Sequence, residues 1–256
     1  MRVEMRSADV RRIGFPRDLP DPLFVFRDDS ELKAHRAYRA AKAGDEVAAV
    51  EVVRDLAVPL LAAVQRGALP ADYYVAPHAR EALGDNAIPQ VLATACAAVA
   101  SASVDNAIVQ SSRVYHTGAD AMERLALRPV FEGEVESGRS YCLVDDVTNL
   151  GGTLAELADF IQLHGGRVVG LAVLVNAGRI KDLHPPEKVV TELINRYGRN
   201  LETIISVAPE ALTANEANYL IGFRSLDEIR NRIAKARKET DLRLRSKGIS
   251  GVEGRS

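Results

Sequence analysis

Tyr141 to Thr153 reads YCLVDDVTNLGGT. The run Tyr141-Cys142-Leu143-Val144 is short and apolar, the mark of a buried strand. It ends in two adjacent carboxylates, Asp145 and Asp146. A small loop with two glycines follows, and Thr153 opens a helix. Paired acids at the carboxyl end of a strand can grip vicinal hydroxyls or sit near a metal. The loop behind them can turn backbone N–H groups and a helix N-terminus toward a phosphate. A sugar bearing a diol and a phosphate ester, such as ribose 5-phosphate, satisfies both halves.

Working outward, Thr153 and Glu156 have the T-x-x-E spacing of a capping box for a helix running to His164. Gly165-Gly166 stops it, and Arg167 to Val175 is a further apolar strand. Upstream, Tyr73 to Ala76 is a short strand with the loop Pro77 to Arg80 behind it. An alanine-rich helix over about 89–100 and a strand centred on Ala107 to Val109 come next. Residues 111–139 are a long polar stretch with short signals of its own. Beyond the second glycine pair, a helix over Glu187 to Tyr197 and a fifth strand, Thr203 to Val207, complete the series. Strands alternating with helices imply an α/β fold, a Rossmann-like parallel sheet covered on both faces. Ligands of such sheets bind at the carboxyl ends of strands. Asp145, Asp146 and the loop Pro77 to Arg80 therefore share one edge.

The flanks read differently. The first 29 residues are rich in Pro and Arg, with one extended apolar piece, Leu23 to Phe26. From Ser30 to Gln65 the pattern is helical, with Ala37, Ala40, Ala41 and then Val47, Val50, Val53, Leu56 at helical spacing and a break at Gly44. After Pro209, Thr213 with Glu216 and Ser225 with Glu228 announce two more capped helices around a turn at Gly222. The expected division is a largely helical N-terminal extension over 1–66, an α/β domain over 67–210 and a helical basic tail over 211–256. The tail carries nine Lys/Arg against four Asp/Glu between Gly222 and Lys247. Two capped helices with a basic second one suit a helix-turn-helix reader of DNA. The favoured reading is a helical appendage packed on the core or a dimer contact. Nucleic acid is thus a possible but unfavoured partner.

Composition narrows the class. No apolar run approaches the roughly 20 residues that span a bilayer, and MRVEMRSADVRR lacks the apolar core of a secretory signal. No membrane partner is expected. Cys96 and Cys142 sit in apolar surroundings and read as buried hydrophobes rather than a disulfide. A cytoplasmic location is expected. No Cys/His cluster has metal-site spacing, so no protein-held metal is expected, and no P-loop or nucleophile elbow occurs.

The Tyr141 to Thr153 segment resembles the motif by which type I phosphoribosyltransferases bind 5-phosphoribosyl 1-pyrophosphate (PRPP). Strand, acid pair, loop and helix follow in the same order, and a weaker likeness extends over about 71–207. The resemblance implies that Asp145 and Asp146 bond the ribose hydroxyls. It implies that Val147, Thr148, Asn149, Leu150, Gly151, Gly152 and Thr153 form the 5-phosphate loop. Pro77, His78, Ala79 and Arg80 match the pyrophosphate loop, and 111–131 match a mobile catalytic lid. Arg80, Arg113 and Arg124 are the catalytic candidates, with His116 and Arg128 in the same stretch. Mg²⁺ would arrive with the substrate, held by its oxygens and water. The family implies transfer of a phosphoribosyl group to a nitrogenous acceptor in nucleotide metabolism, in a cytoplasmic homodimer.

Displacing pyrophosphate builds positive charge on the sugar and negative charge on the leaving group. Such a site needs cations over the pyrophosphate, exclusion of water and exact placement of the nucleophile. Two departures stand out. Leu150 replaces a small or hydroxyl residue of the family, and Asn149 stands where hypoxanthine-guanine enzymes carry a carboxylate, which argues against 6-oxopurine salvage. No base-binding hood is recognisable. A transferase is the leading reading. A non-catalytic PRPP- or nucleotide-binding regulator of the same fold, reaching DNA through its tail, is the alternative.

Overall fold

A computed structural model describes residues 10–78, 86–111 and 120–246. Among these, five parallel strands make the central sheet: β1 (Leu23–Phe26), β2 (Tyr73–Val75), β3 (Ser103–Asp105), β6 (Ser140–Thr148) and β7 (Arg167–Asn176), in the spatial order β1-β7-β6-β2-β3. A short antiparallel ribbon, β4 (Val109–Gln110) with β5 (Phe131–Glu132), stands apart. The expected α/β parallel-sheet class holds.

Residues Ser30 to Gln65 form four helices, α1 (Ser30–Ala34), α2 (Tyr38–Lys42), α3 (Glu46–Leu56) and α4 (Val58–Gln65), with Gly44 at φ 96° in the expected break. Together with α5 (Ile88–Ala100) they cover one face of the sheet, packing on Cys142, Val144, Ala172 and Leu174. The buried stripe of α3 is Ala48, Ala49, Val52 and Val53, while Val47 is 74% and Val50 52% exposed. The expected stripe through Val47 and Val50 is therefore rotated. Ala48 and Ala49 allow α3 to approach the more alanine-rich α5. The other face is covered by α7 (Gly152–Leu163), whose Leu154, Leu157, Ala158 and Ile161 pack on Leu143, Leu171 and Val173.

Three expectations for the strands need correction. The strand beside β2 is Ser103–Asp105, not Ala107 to Val109. The Asp105 carboxylate accepts the N–H groups of Ala107 (2.8 Å) and Ile108 (3.1 Å), turning the chain out of the sheet before Val109. Thr203 to Val207 is not a strand. The chain there is α9 (Asn200–Ile205), because Leu201 and Ile205, four apart, both bury against the tail; Val207 keeps a single bridge to Arg11. Leu23–Phe26, expected only as an extended piece, pairs with β7 as the sheet's edge.

A third core joins α6 (Ala121–Ala126), α8 (Glu187–Tyr197), α9, a 3₁₀ turn (Pro209–Ala211), α10 (Ala214–Ile221) and α11 (Leu226–Ser246). Both tail helices start where expected. Thr213 and Glu216 form a complete capping box, and Ser225 Oγ accepts the Glu228 N–H at 3.2 Å. Along α11, Ile229, Ile233, Ala236 and Thr240 are buried. Two buried isoleucines stabilise the docked helix by roughly 3–6 kcal/mol. That is enough to hold α11 on the body rather than leave it a solvated arm.

From β2 the chain steps outward through α5 to β3, and from β6 it steps the opposite way through α7 to β7. The crevice between β2 and β6 is thus the place where the winding reverses, and ligands of parallel sheets bind above such a crevice.

Candidate functional site

Strand β6 runs two residues past the acid pair, to Thr148, so the acids lie within the strand rather than at its end. Its partner β2 stops at Val75, opposite Leu143. Asp145 and Asp146 consequently project into the crevice beyond the end of β2. Successive strand residues face opposite sides. Asp145 follows Leu143 toward α7, whereas Asp146 follows Val144 toward α2 and α5.

The two acids have different partners. Asp146 is buried, and its Oδ2 is held by Lys42 Nζ at 2.8 Å and Asn86 Nδ2 at 3.0 Å; its Oδ1 accepts the Val147 N–H at 2.9 Å. Burial works against the Lys42 ammonium, but the Asp146 charge and hydrogen bond outweigh it and raise the lysine above its ordinary value. Asp145 accepts the Asp146 N–H at 2.8 Å through Oδ1. Its carboxyl is pushed well above the usual range, first by burial and then by the Asp146 charge, against the pull of Lys42. Of the pair, only Asp145 lines the neighbouring cleft.

That cleft is lined by Asp145, Val147 to Leu154, Arg124 and Glu216, and holds about 390 Å³ of space open in part to solvent. One wall is the turn between β6 and α7. The expected Thr153–Glu156 capping box is absent. Gly151, at φ 79°, is the N-cap, and no side chain caps α7. Glu156 is instead drawn to Arg11 (3.0 Å) and Arg128. The N–H groups of the first turn of a helix have no partner within it. Among the described residues none is supplied to those of Gly152, Thr153 and Leu154, so these donors and the positive end of the helix face the cleft.

The outer side of the turn is fixed by the tail. Thr213 Oγ1 donates to the Leu150 carbonyl at 2.5 Å, and Glu216 packs so closely that a Cβ on Gly152 would lie 2.7 Å from its Oε1. Glu216 is held in turn by Arg11 and by the Thr213 N–H at 2.9 Å. Arg11, 1% exposed, also donates to the Ala211 carbonyl at 3.0 Å. Burial opposes its charge, but Glu216 and Glu156 more than restore it. Asp159 pins this stretch onto α7, its Oδ1 accepting the N–H groups of Arg12, Ile13 and Gly14 at 2.9, 2.5 and 3.1 Å. A second cleft of about 330 Å³ lies behind the turn, between Phe15, Asn176, Lys181 and Asn215; Thr148 to Gly151 wall both.

Arg124, on α6, is the one of the three candidate catalytic arginines that falls within the described residues, and it lines the first cleft. Burial lowers its guanidinium from the usual value, against the pull of Asp145. The guanidinium remains charged at any working pH. Pro77 and His78 follow the end of β2 and line neither cleft; His78 Nδ1 stands 3.2 Å from the Ala76 carbonyl. Ala79, Arg80, Arg113 and His116 lie outside the described residues. Within the expected lid, the described stretch 120–131 is docked: Met122 and Leu125 sit in the tail core, and Arg128 bonds Glu156.

Lys42, Arg11 and Glu216 were missed as site residues. Lys42 reads in sequence as the cationic end of a short helix, and Arg11 as one of several arginines in a Pro/Arg-rich stretch. The Thr213/Glu216 capping box was legible, but not where it would dock. As for metals, among the described residues no group of three His, Cys, Asp or Glu could hold an ion. Asp146 is saturated by Lys42 and Asn86, so the acid pair does not fit a protein-held cation. No helix among the described residues is long and apolar enough to cross a membrane.

No protein-family model matches the chain. It is 35% identical over 223 residues to protein TraN of Escherichia coli, covering 85% of this chain and 50% of that protein. It is 33% identical over 165 residues to an uncharacterized protein of Haemophilus influenzae, covering 62% and 36%. A shorter match, 39% over 57 residues, is to orotate phosphoribosyltransferase of Campylobacter lari, covering 22% and 28%. The chain therefore spans half or less of the curated relatives it matches. Solved structures similar to it include adenine phosphoribosyltransferase of Leishmania donovani (TM-score 0.37, 16% identity, 79% of this chain and 89% of that one). Another is purine phosphoribosyltransferase of Pyrococcus horikoshii Ot3 (TM-score 0.33, 17% identity, 50% and 77%). These scores add nothing to what the parallel sheet shows by itself.

Proposed function

We propose that the cleft above β6 binds a 5-phosphoribosyl group, with PRPP as the ligand. The supporting observation is the uncapped N-terminus of α7 opening on the same cleft as Asp145 and Arg124. A helix left without a side-chain cap beside a glycine turn is suited to an anion. Asp145 stands one turn away to accept from a ribose hydroxyl, and Arg124 faces it across the cleft. In this reading the amides of Gly152, Thr153 and Leu154 hold the 5-phosphate and the turn excludes water from it. Arg124 screens the charge growing on the leaving pyrophosphate. Asp146 orients the pair from behind, its own charge balanced by Lys42. Mg²⁺ comes with the pyrophosphate rather than from the protein.

We take the reaction to be transfer of the phosphoribosyl group to a nitrogenous acceptor. A second reading, binding without turnover, is favoured by one observation: the Glu216 carboxylate lines the cleft, where added negative charge works against a second anionic group. Pyrophosphate release from PRPP and Mg²⁺, measured across a panel of nucleobases and amines, separates the two. Release with any acceptor supports the transferase; binding of PRPP without release on every acceptor supports the sensor. No binding of PRPP at all rejects both.

A further inference from the structure

Helix α6, which carries Arg124 into the cleft, has only six residues. A helix that short does not hold itself in water, so its orientation comes from what grips it. Met122 and Leu125 enter the tail core with Ile229, Ile233 and Ala236. Between them Glu123 is 2% exposed, a depth at which a carboxylate needs several donors. Its Oε2 accepts the Asp120 N–H at 2.8 Å, and its Oε1 accepts Thr240 Oγ1–H at 2.9 Å. Asp120 returns the contact by accepting the Glu123 N–H at 2.7 Å. Thr240 is itself buried, at 8%, and extends the inward stripe of α11.

Neighbouring residues of a helix point about 100° apart, so fixing Glu123 toward α11 fixes the direction of Arg124. We propose that the buried Glu123–Thr240 hydrogen bond makes the C-terminal helix α11 a positioning element for Arg124, and that Glu123 and Thr240 set the affinity of the cleft for its anionic ligand without touching it. This rests on the phosphoribosyl reading of the cleft. The segment matched to a mobile lid is, in its described part, a docked element whose aim is set by a helix more than a hundred residues away in the chain.

The test uses the full chain and PRPP with Mg²⁺ in calorimetric titrations of wild type, Arg124→Met, Thr240→Val, Thr240→Ser and the Arg124→Met/Thr240→Val double variant. Thr240→Val preserves shape and leaves Glu123 short of a donor, and about a tenfold loss of affinity is expected. Thr240→Ser restores the hydroxyl and the affinity. In the double variant the two losses do not add, since Thr240 acts through Arg124. Unchanged affinity in Thr240→Val, or fully additive losses, overturns the proposal. Amide hydrogen exchange across 121–126 gives a readout independent of the ligand. Thr240→Val speeds exchange there while the sheet stays protected, and unchanged exchange refutes the clamp even if wild type fails to bind PRPP. Failure of wild-type binding with accelerated exchange instead overturns the phosphoribosyl reading and leaves the clamp as a purely structural tie, which refutes its role in affinity.

Discussion

Replacing Asp145 with Asn should make the protein more stable at neutral pH while removing its ligand. Asp145 is half-buried beside the buried Asp146, and desolvation followed by that neighbouring charge pushes its carboxyl well above the usual range. The native chain therefore holds a proton that the unfolded chain has already released. Between the ordinary carboxylate value, about 3.9, and the raised native value, stability falls as pH rises, because protons are bound more by the native state. Asn keeps the shape and the oxygen that accepts the Asp146 N–H at 2.8 Å, but carries no charge. Relief of a buried like-charge contact at a functional site is worth on the order of 1–2 kcal/mol. Urea unfolding of both proteins at a series of pH values reads the difference directly. The variant should gain its advantage as pH rises through that window and hold it above. A variant equal to or less stable than wild type at pH 7 would refute the account of a strained acid.

Two other predictions concern the charges behind the site. Lys42→Met leaves the buried Asp146 with only the neutral donors of Asn86 and the Val147 N–H and should cost about 2 kcal/mol, discounted from the roughly 3–5 typical of a broken buried pair because the lysine is partly exposed. Because the native lysine is raised, this deficit relative to wild type is full below about pH 10 and fades at higher pH; a deficit constant to pH 12 in unfolding titrations would count against the pair. Arg11→Met leaves the buried Glu216 without its cation and Glu156 with Arg128 alone, and should cost roughly 3–5 kcal/mol by chemical denaturation, more than any exposed arginine. A loss under 1 kcal/mol would mean that the network contributes little.

The strand–turn–helix from β6 to α7 was legible because each local signal agreed: an apolar run, acids, glycines and then helical spacing. β7 was equally clear, as Leu171 to Val175 is an unbroken buried apolar run. What failed depended on partners distant in sequence. Thr203 to Val207 has a strand's composition, yet Leu201 and Ile205 found burial in the tail at helical spacing. Thr153 and Glu156 have capping spacing, but Arg11 and Arg128 draw Glu156 away, which is what leaves the α7 N-terminus open. The acid pair reads as two equivalent residues. The pleat of β6 separates them, sending Asp146 to Lys42 and Asp145 to the cleft. No local pattern announces that a lysine at the end of α2 will meet a carboxylate more than a hundred residues on.

The central claim, that the turn after β6 and Asp145 together hold a ribosyl phosphate, is tested most directly by calorimetric titration of ribose 5-phosphate into wild type and Asp145→Asn. Saturable binding by wild type, lost in the folded and stabilised variant, is the expected result. Equal affinity in the two proteins, or no binding by wild type up to millimolar ligand, would contradict it.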